Sequence, residues 1–131
     1  MMTDIELISL AQTARARAYC PYSHFAVGAA LECADGTVYT GCNIENAAYP
    51  VGLCAERTAA AKAVSDGHRD FVRLAVAGSG AEFCTPCGMC RQFLTEFAPE
   101  LEIFCVNRDG QAKKWKLSDL LPGSFGPKSM L

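Results

Sequence analysis

Apolar residues fall first at helical intervals. Ile5, Leu7, Ile8, Leu10, Ala11, Ala14 and Ala18 lie on one side of a 3.6-residue period that Pro21 stops, and Thr3 and Glu6 have the spacing of a capping box. This predicts an amphipathic first helix. Two short apolar runs, Phe25 to Cys33 and Thr37 to Gly41, flank Asp35-Gly36, a pair that favours a tight hairpin turn, and they read as strands. The alanine-rich stretch from Cys54 to Asp66 ends before Gly67, as a helix closed by a left-handed glycine does. Phe71 to Ala77 reads as a buried strand and Pro86 to Phe97 as a helix ended by Pro99. Leu101 to Val106 is a further strand, followed by an Asn107-Arg108-Asp109-Gly110 turn. Ala112 to Leu117 is a weaker fifth strand, Ser118 to Leu121 a short turn of helix, and the tail from Pro122 is expected on the surface or on a neighbouring subunit. The order predicts a three-layer α/β/α sandwich around a mixed five-stranded sheet.

The chain has 131 residues, room for one domain spanning 1–131. Twelve Lys and Arg against 14 Asp and Glu leave a net charge of −2, so the global attraction that drives nucleic-acid binding is missing. No apolar run approaches the roughly 18 residues of a membrane span, and acids stand near Met1 where a signal peptide carries bases. A cytoplasmic location is expected, with neither membrane nor nucleic acid as partner.

The 8 cysteines change the picture, because a chain of this size folds without staples and in a reducing compartment a thiol is packing or chemistry. Cys20, Cys33, Cys42 and Cys105 stand singly and read as packing. Cys84-Thr85-Pro86-Cys87-Gly88-Met89-Cys90 contains the spacing with which one turn aims two sulfurs at a metal. Cys54 and Cys87 each open a predicted helix, with Cys90 one turn beyond Cys87. Helix N-termini favour thiolate over thiol, and soft thiolates point to zinc. Three ligands leave one tetrahedral position open, the pattern of a catalytic site. Glu56 stands in the first turn of the same helix as Cys54, placed to move protons without ligating the metal. Arg57, three residues from Cys54, is expected to donate to the sulfurs and offset their charge.

These motifs carry a resemblance. Cys54-Ala55-Glu56 followed by Pro86-Cys87-Gly88-Met89-Cys90 matches the zinc deaminase signature. Phe25-Ala26-Val27-Gly28-Ala29-Ala30, Asn43-Ile44-Glu45-Asn46-Ala47 and Cys54-Ala55-Glu56-Arg57 resemble the small oligomeric cytidine deaminases of pyrimidine salvage. The resemblance implies zinc on Cys54, Cys87 and Cys90, and hydrolytic deamination of cytidine and deoxycytidine with Glu56 as catalytic acid and base. It implies Phe25 against the pyrimidine, Asn43 and Glu45 on a ribose hydroxyl, and Ala55 as a backbone contact to the base. It further implies a homotetramer in which Ala47, Tyr49 and Phe125 contact a neighbour's site. Of the substrate, Asn43 and Glu45 are expected to touch only the sugar, so that their loss weakens nucleoside turnover far more than any action on free cytosine. Taken singly, Phe25, Tyr49 and Phe125 read as core or surface aromatics, Asn43 and Glu45 as turn residues, and His24 and His68 as solvated loop residues; their joint occurrence overturns this for the site residues. Two rivals stay open at this level: a deaminase of related aminopyrimidine nucleoside antibiotics, and a structural zinc module closed by Cys84 as a fourth ligand.

Overall fold

The computed structural model describes residues 2–130. Helix α1 spans Asp4–Arg15, with Thr3 as its N-cap accepting the Glu6 amide at 3.2 Å. It stops short of Ala18 because the Tyr19 amide turns away to the Asn43 carbonyl, starting a bridge between Tyr19 and Ile44. Strands β1 (Val27–Cys33) and β2 (Val38–Cys42) form the expected hairpin, with Gly36 at φ +91° in its turn. A 3₁₀ turn at Tyr49–Val51, not foreseen from the sequence, precedes α2 (Ala55–Ser65). Then follow β3 (Phe71–Gly78), α3 (Gly88–Thr95), β4 (Glu102–Val106), β5 (Ala112–Lys116), α4 (Leu117–Leu120) and α5 (Pro127–Met130).

The sheet order is β2-β1-β3-β4-β5, with β3 and β4 parallel and every other pair antiparallel. It is the mixed five-stranded sheet of the expected sandwich. Alternation along the strands makes two cores, since successive side chains leave opposite faces. Ala29, Leu31, Leu74, Val76, Ile103 and Cys105 pack on the side of α2 and α3. Ala30, Ala75, Ala77, Phe104 and Val106 meet Leu7 and Ala11 of α1 on the other.

Small residues bring the helices close. A Cβ on Gly28 would lie 2.0 Å from the Ala11 carbonyl oxygen, so α1 rests directly on the β1 backbone. The face of α2 turned to the sheet is Ala55, Ala59, Ala60 and Ala63, all fully buried. Beneath α1, Glu32 is fully buried beside its cross-strand neighbour Arg73, whose Nε and Nη2 donate to its two oxygens at 2.8 and 2.9 Å. A buried carboxylate needs such pairing to offset its lost hydration.

Candidate active site and metal centre

Two helix starts meet here. Cys54 is the N-cap of α2 and Cys87 the N-cap of α3, both with extended backbone, so their sulfurs stand where amides and helix dipoles point outward. The backbone pairing of Ile44 with Leu53 folds the loop back and delivers the chain to Cys54. Cys90, fully buried in the first turn of α3, completes the group.

The Cys54 and Cys87 sulfurs are 3.7 Å apart, and the three sulfurs of Cys54, Cys87 and Cys90 lie within 4.8 Å of one another. Zinc–sulfur bonds of about 2.3 Å in a tetrahedron put sulfurs about 3.8 Å apart, so this donor set fits zinc with one position left over. Cys84 lies outside the group. Its side chain packs against the backbone of Gly78, where a Cβ would come within 2.8 Å of the Cys84 Cβ, and burial pushes its thiol up to about 12. Among the described residues the three sulfurs stand as a set without it, which corrects the reading of a four-cysteine module. All eight cysteines are free, and Cys33 and Cys105 are buried as expected for packing.

Arg57 Nη1 donates to Cys90 Sγ at 3.3 Å and to Cys87 Sγ at 3.9 Å. The sequence placed it beside Cys54; the structure aims it at the other two sulfurs. Cys54 is pulled down to about 5, first by a hydrogen bond from the Cys90 thiol and further by the Arg57 charge, against the opposing effect of burial. Glu56 is only 4 % exposed yet lines the adjoining cleft. Burial pushes its carboxyl up to about 7, and the Cys54 charge adds to the shift. A carboxyl that takes and releases protons near neutrality is suited to general acid and base work.

The cleft, about 630 Å³, is walled by Phe25, Asn43, Glu45, Tyr49, Cys84 and Thr85, among others. Phe25 is not a strand residue as its apolar run suggested: β1 begins at Val27, and Phe25 is 42 % exposed, with its ring seated against Gly78 and Gly80. Asn43 Oδ1 accepts the Val27 amide at 2.9 Å and Nδ2 donates to the Phe25 carbonyl at 2.7 Å. Glu45 Oε1 accepts the amides of Tyr22 and Ser23 at 2.9 and 3.1 Å. Both residues therefore hold the loop as well as lining the cleft.

Other expected contacts separate. Ala55 is wholly buried between the cleft-lining Cys54 and Glu56. Tyr49 lines this chain's own cleft, its ring 5.9 Å from that of Tyr22, and is largely exposed. Ala47 is exposed outside the cleft. Phe125 is likewise outside, 61 % exposed, with its carbonyl accepting Gln92 Nε2 at 2.9 Å. Tyr22 and Ser23, which shape the mouth, were not anticipated because their role depends on bonds to Glu45 more than 20 positions away.

A cysteine-x-glutamate helix start beside a second, Pro-Cys-x-x-Cys start on the same face of a mixed sheet defines the class of zinc deaminases. Residues 1–106 match the family model described as the cytidine and deoxycytidylate deaminase zinc-binding region. The chain is 47 % identical over 129 residues to the cytidine deaminase of Sporosarcina psychrophila, covering 97 % of this chain and 95 % of that protein. It is 46 % identical to the cytidine deaminase of Burkholderia pseudomallei, whose crystal structure superposes with a TM-score of 0.92 over 95 % of this chain and 100 % of the other. A probable cytidine deaminase of Dictyostelium discoideum is 45 % identical over 125 residues, 95 % of this chain and 84 % of that protein. The chain belongs to the cytidine deaminase family.

Proposed function

We propose that this chain deaminates cytidine and deoxycytidine by hydrolysis, giving uridine or deoxyuridine and ammonia. The observation that carries the reading is Glu56, a buried carboxyl raised to about 7 that lines the cleft two residues after one sulfur of a three-thiol cluster. Cys54, Cys87 and Cys90 hold zinc in this reading, and a zinc ion polarises water and lowers its pKa when bound. Glu56 accepts a proton from the water that adds at C4 and delivers it to N3. It then carries the second proton to the departing amino group, so that the C–N bond breaks as the C4 carbonyl forms. Because its burial favours the neutral form and the attacking water the charged one, both forms are accessible at neutral pH. Arg57 offsets the thiolate charge through its bonds to Cys87 and Cys90.

Phe25 supplies a ring against the pyrimidine, and backbone at Ala55 meets the base. Asn43 keeps one side-chain N–H and one lone pair beyond its bonds to the loop, and Glu45 keeps an open acceptor site. Together these suit a sugar hydroxyl, which both accepts and donates. The full chain acts as a single domain in this reading, residues 1–131, in a homotetramer with shared sites. The exposure of Ala47, Tyr49 and Phe125 supports that assembly, with Phe125 covering a neighbour's pyrimidine. A cytoplasmic place in pyrimidine salvage fits a nucleoside substrate, and no helix among the described residues is long and apolar enough to cross a membrane.

Ammonia release measured on cytidine, deoxycytidine, cytosine and an aminopyrimidine nucleoside antibiotic tests the reading. Turnover of the first two should far exceed that of the others. Preference for the antibiotic would reassign the substrate, and no release from any by zinc-loaded protein would overturn the activity.

A further inference from the structure

Ser23 has no part in the reaction just described, yet three of its bonds meet at the mouth of the cleft. Its hydroxyl donates to Glu45 Oε2, its oxygen accepts the Phe25 amide at 3.0 Å, and its own amide donates to Glu45 Oε1 at 3.1 Å. The two hydroxyl bonds depend on each other. With the Phe25 N–H occupying the oxygen, the single hydroxyl proton is turned toward the carboxylate. His24 closes the turn at φ +58°, in the left-handed region that side chains other than glycine rarely adopt, and its amide donates to the Cys20 carbonyl at 3.0 Å. The loop thus holds an unfavourable conformation in order to wrap Glu45.

The consequence is a count of acceptor sites. A carboxylate offers about four, and Tyr22 N–H, Ser23 N–H and Ser23 O–H occupy three of them. One remains, on Oε2. We propose that Ser23 is a positioning residue that acts through Glu45, fixing the rotation of its carboxylate and leaving one acceptor site for a neutral, unsubstituted hydroxyl of the nucleoside. An esterified or phosphorylated oxygen at that position has no proton to give and meets a carboxylate that cannot turn away. The Ser23 hydroxyl is also the foremost cause holding the Glu45 carboxyl below its ordinary range, in keeping with a charge that stays in place while substrate binds.

The inference rests on the reading of Glu45 as a sugar contact, so its test separates the two. Ser23→Ala, Ser23→Thr, Glu45→Gln and the Ser23→Ala/Glu45→Gln pair are assayed on cytidine, with zinc content and thermal midpoint followed in each. Ser23→Ala should raise KM about tenfold with kcat nearly unchanged, the size expected for one charge-assisted hydrogen bond. Ser23→Thr, which keeps the hydroxyl on an exposed loop, should restore KM. In the Glu45→Gln background Ser23→Ala should add nothing, because both changes remove one interaction. An unchanged KM in Glu45→Gln would overturn the sugar contact itself. A raised KM in Glu45→Gln with no effect of Ser23→Ala, or with an additive one, would overturn Ser23 alone. So would a loss of zinc or of thermal midpoint large enough to account for the Ser23→Ala defect.

Discussion

Gly41 on β2 and Ala59 on α2 approach so closely that a Cβ on the glycine would lie 2.6 Å from the Ala59 amide nitrogen. The same atom would be 2.6 Å from the Ala55 carbonyl oxygen. Both obstacles are backbone, so Gly41→Ala must displace the helix that carries Cys54 and Glu56. Overpacking of this kind costs about 1–3 kcal/mol. Urea unfolding should show that loss, and cytidine turnover should fall with it; wild-type values in both would mean that α2 shifts freely without disturbing the site.

Glu56→Gln should keep fold and metal while lowering kcat by about 10² to 10⁴, the range for a general acid-base group. Glutamine preserves the shape and is neutral, as burial prefers, so thermal stability should not fall. Near-normal turnover by the metal-replete variant would require another proton carrier.

Metal analysis should find one zinc per chain. Cys54→Ser should abolish it, since it removes one of only three sulfurs within mutual reach among the described residues, whereas Cys84→Ser should leave it unchanged. Zinc loss in Cys84→Ser would sink the open three-thiolate site.

Asn43→Ala should do more harm than a lost sugar contact. It frees the partly buried Val27 amide, a group whose lost partner costs about 1–3 kcal/mol, and the exposed Phe25 carbonyl, which water can serve. Lower stability without substrate, by calorimetry, is the expected result; intact stability would mean that the loop holds without the Asn43 bonds.

The local signals in the sequence were the readable ones. Thr3 caps α1 through the Glu6 amide, Gly36 turns the hairpin, and Gly67 closes α2 at φ +92°, each because a nearby residue type meets a local backbone need. The cysteine spacing and Glu56 were equally legible, since helix starts put them at known offsets. What escaped was set by distant partners. The 3₁₀ turn at Tyr49–Val51 follows from the pairing of Ile44 with Leu53, and Phe25 leaves the strand because its amide is taken by the Ser23 hydroxyl. No periodicity encodes such a choice. Asn43, read as a turn residue or a ligand contact, is also a brace between two loops.

A pH effect is expected far from the cleft. Asp35 in the hairpin turn bonds His68 Nε2 at 2.8 Å, while Tyr39 bonds both His68 Nδ1 and Asp66, tying the hairpin to the end of α2. The Thr37 amide first, and then His68, hold the Asp35 carboxyl below its ordinary value. A depressed carboxyl stabilises the fold above its unfolded value of about 3.9 and ceases to do so as pH falls through the folded one. The stability gap between wild type and Asp35→Asn should therefore be open at neutral pH and close in acid. Urea midpoints that keep the same gap throughout would refute the linkage.

The separation of the sulfurs along the chain has a bearing on how the molecule matures. Cys87 and Cys90 are neighbours in any conformation, but Cys54 is 33 positions from Cys87, and α2 and the central strand β3 lie between them. A newly made chain can offer an ion only a loose two-sulfur perch. The third sulfur arrives when β3 is in place and the two helix starts meet, so firm retention of a metal ion on the three would certify that the middle of the sheet has been assembled. A chelator, by the same token, should strip misfolded copies first.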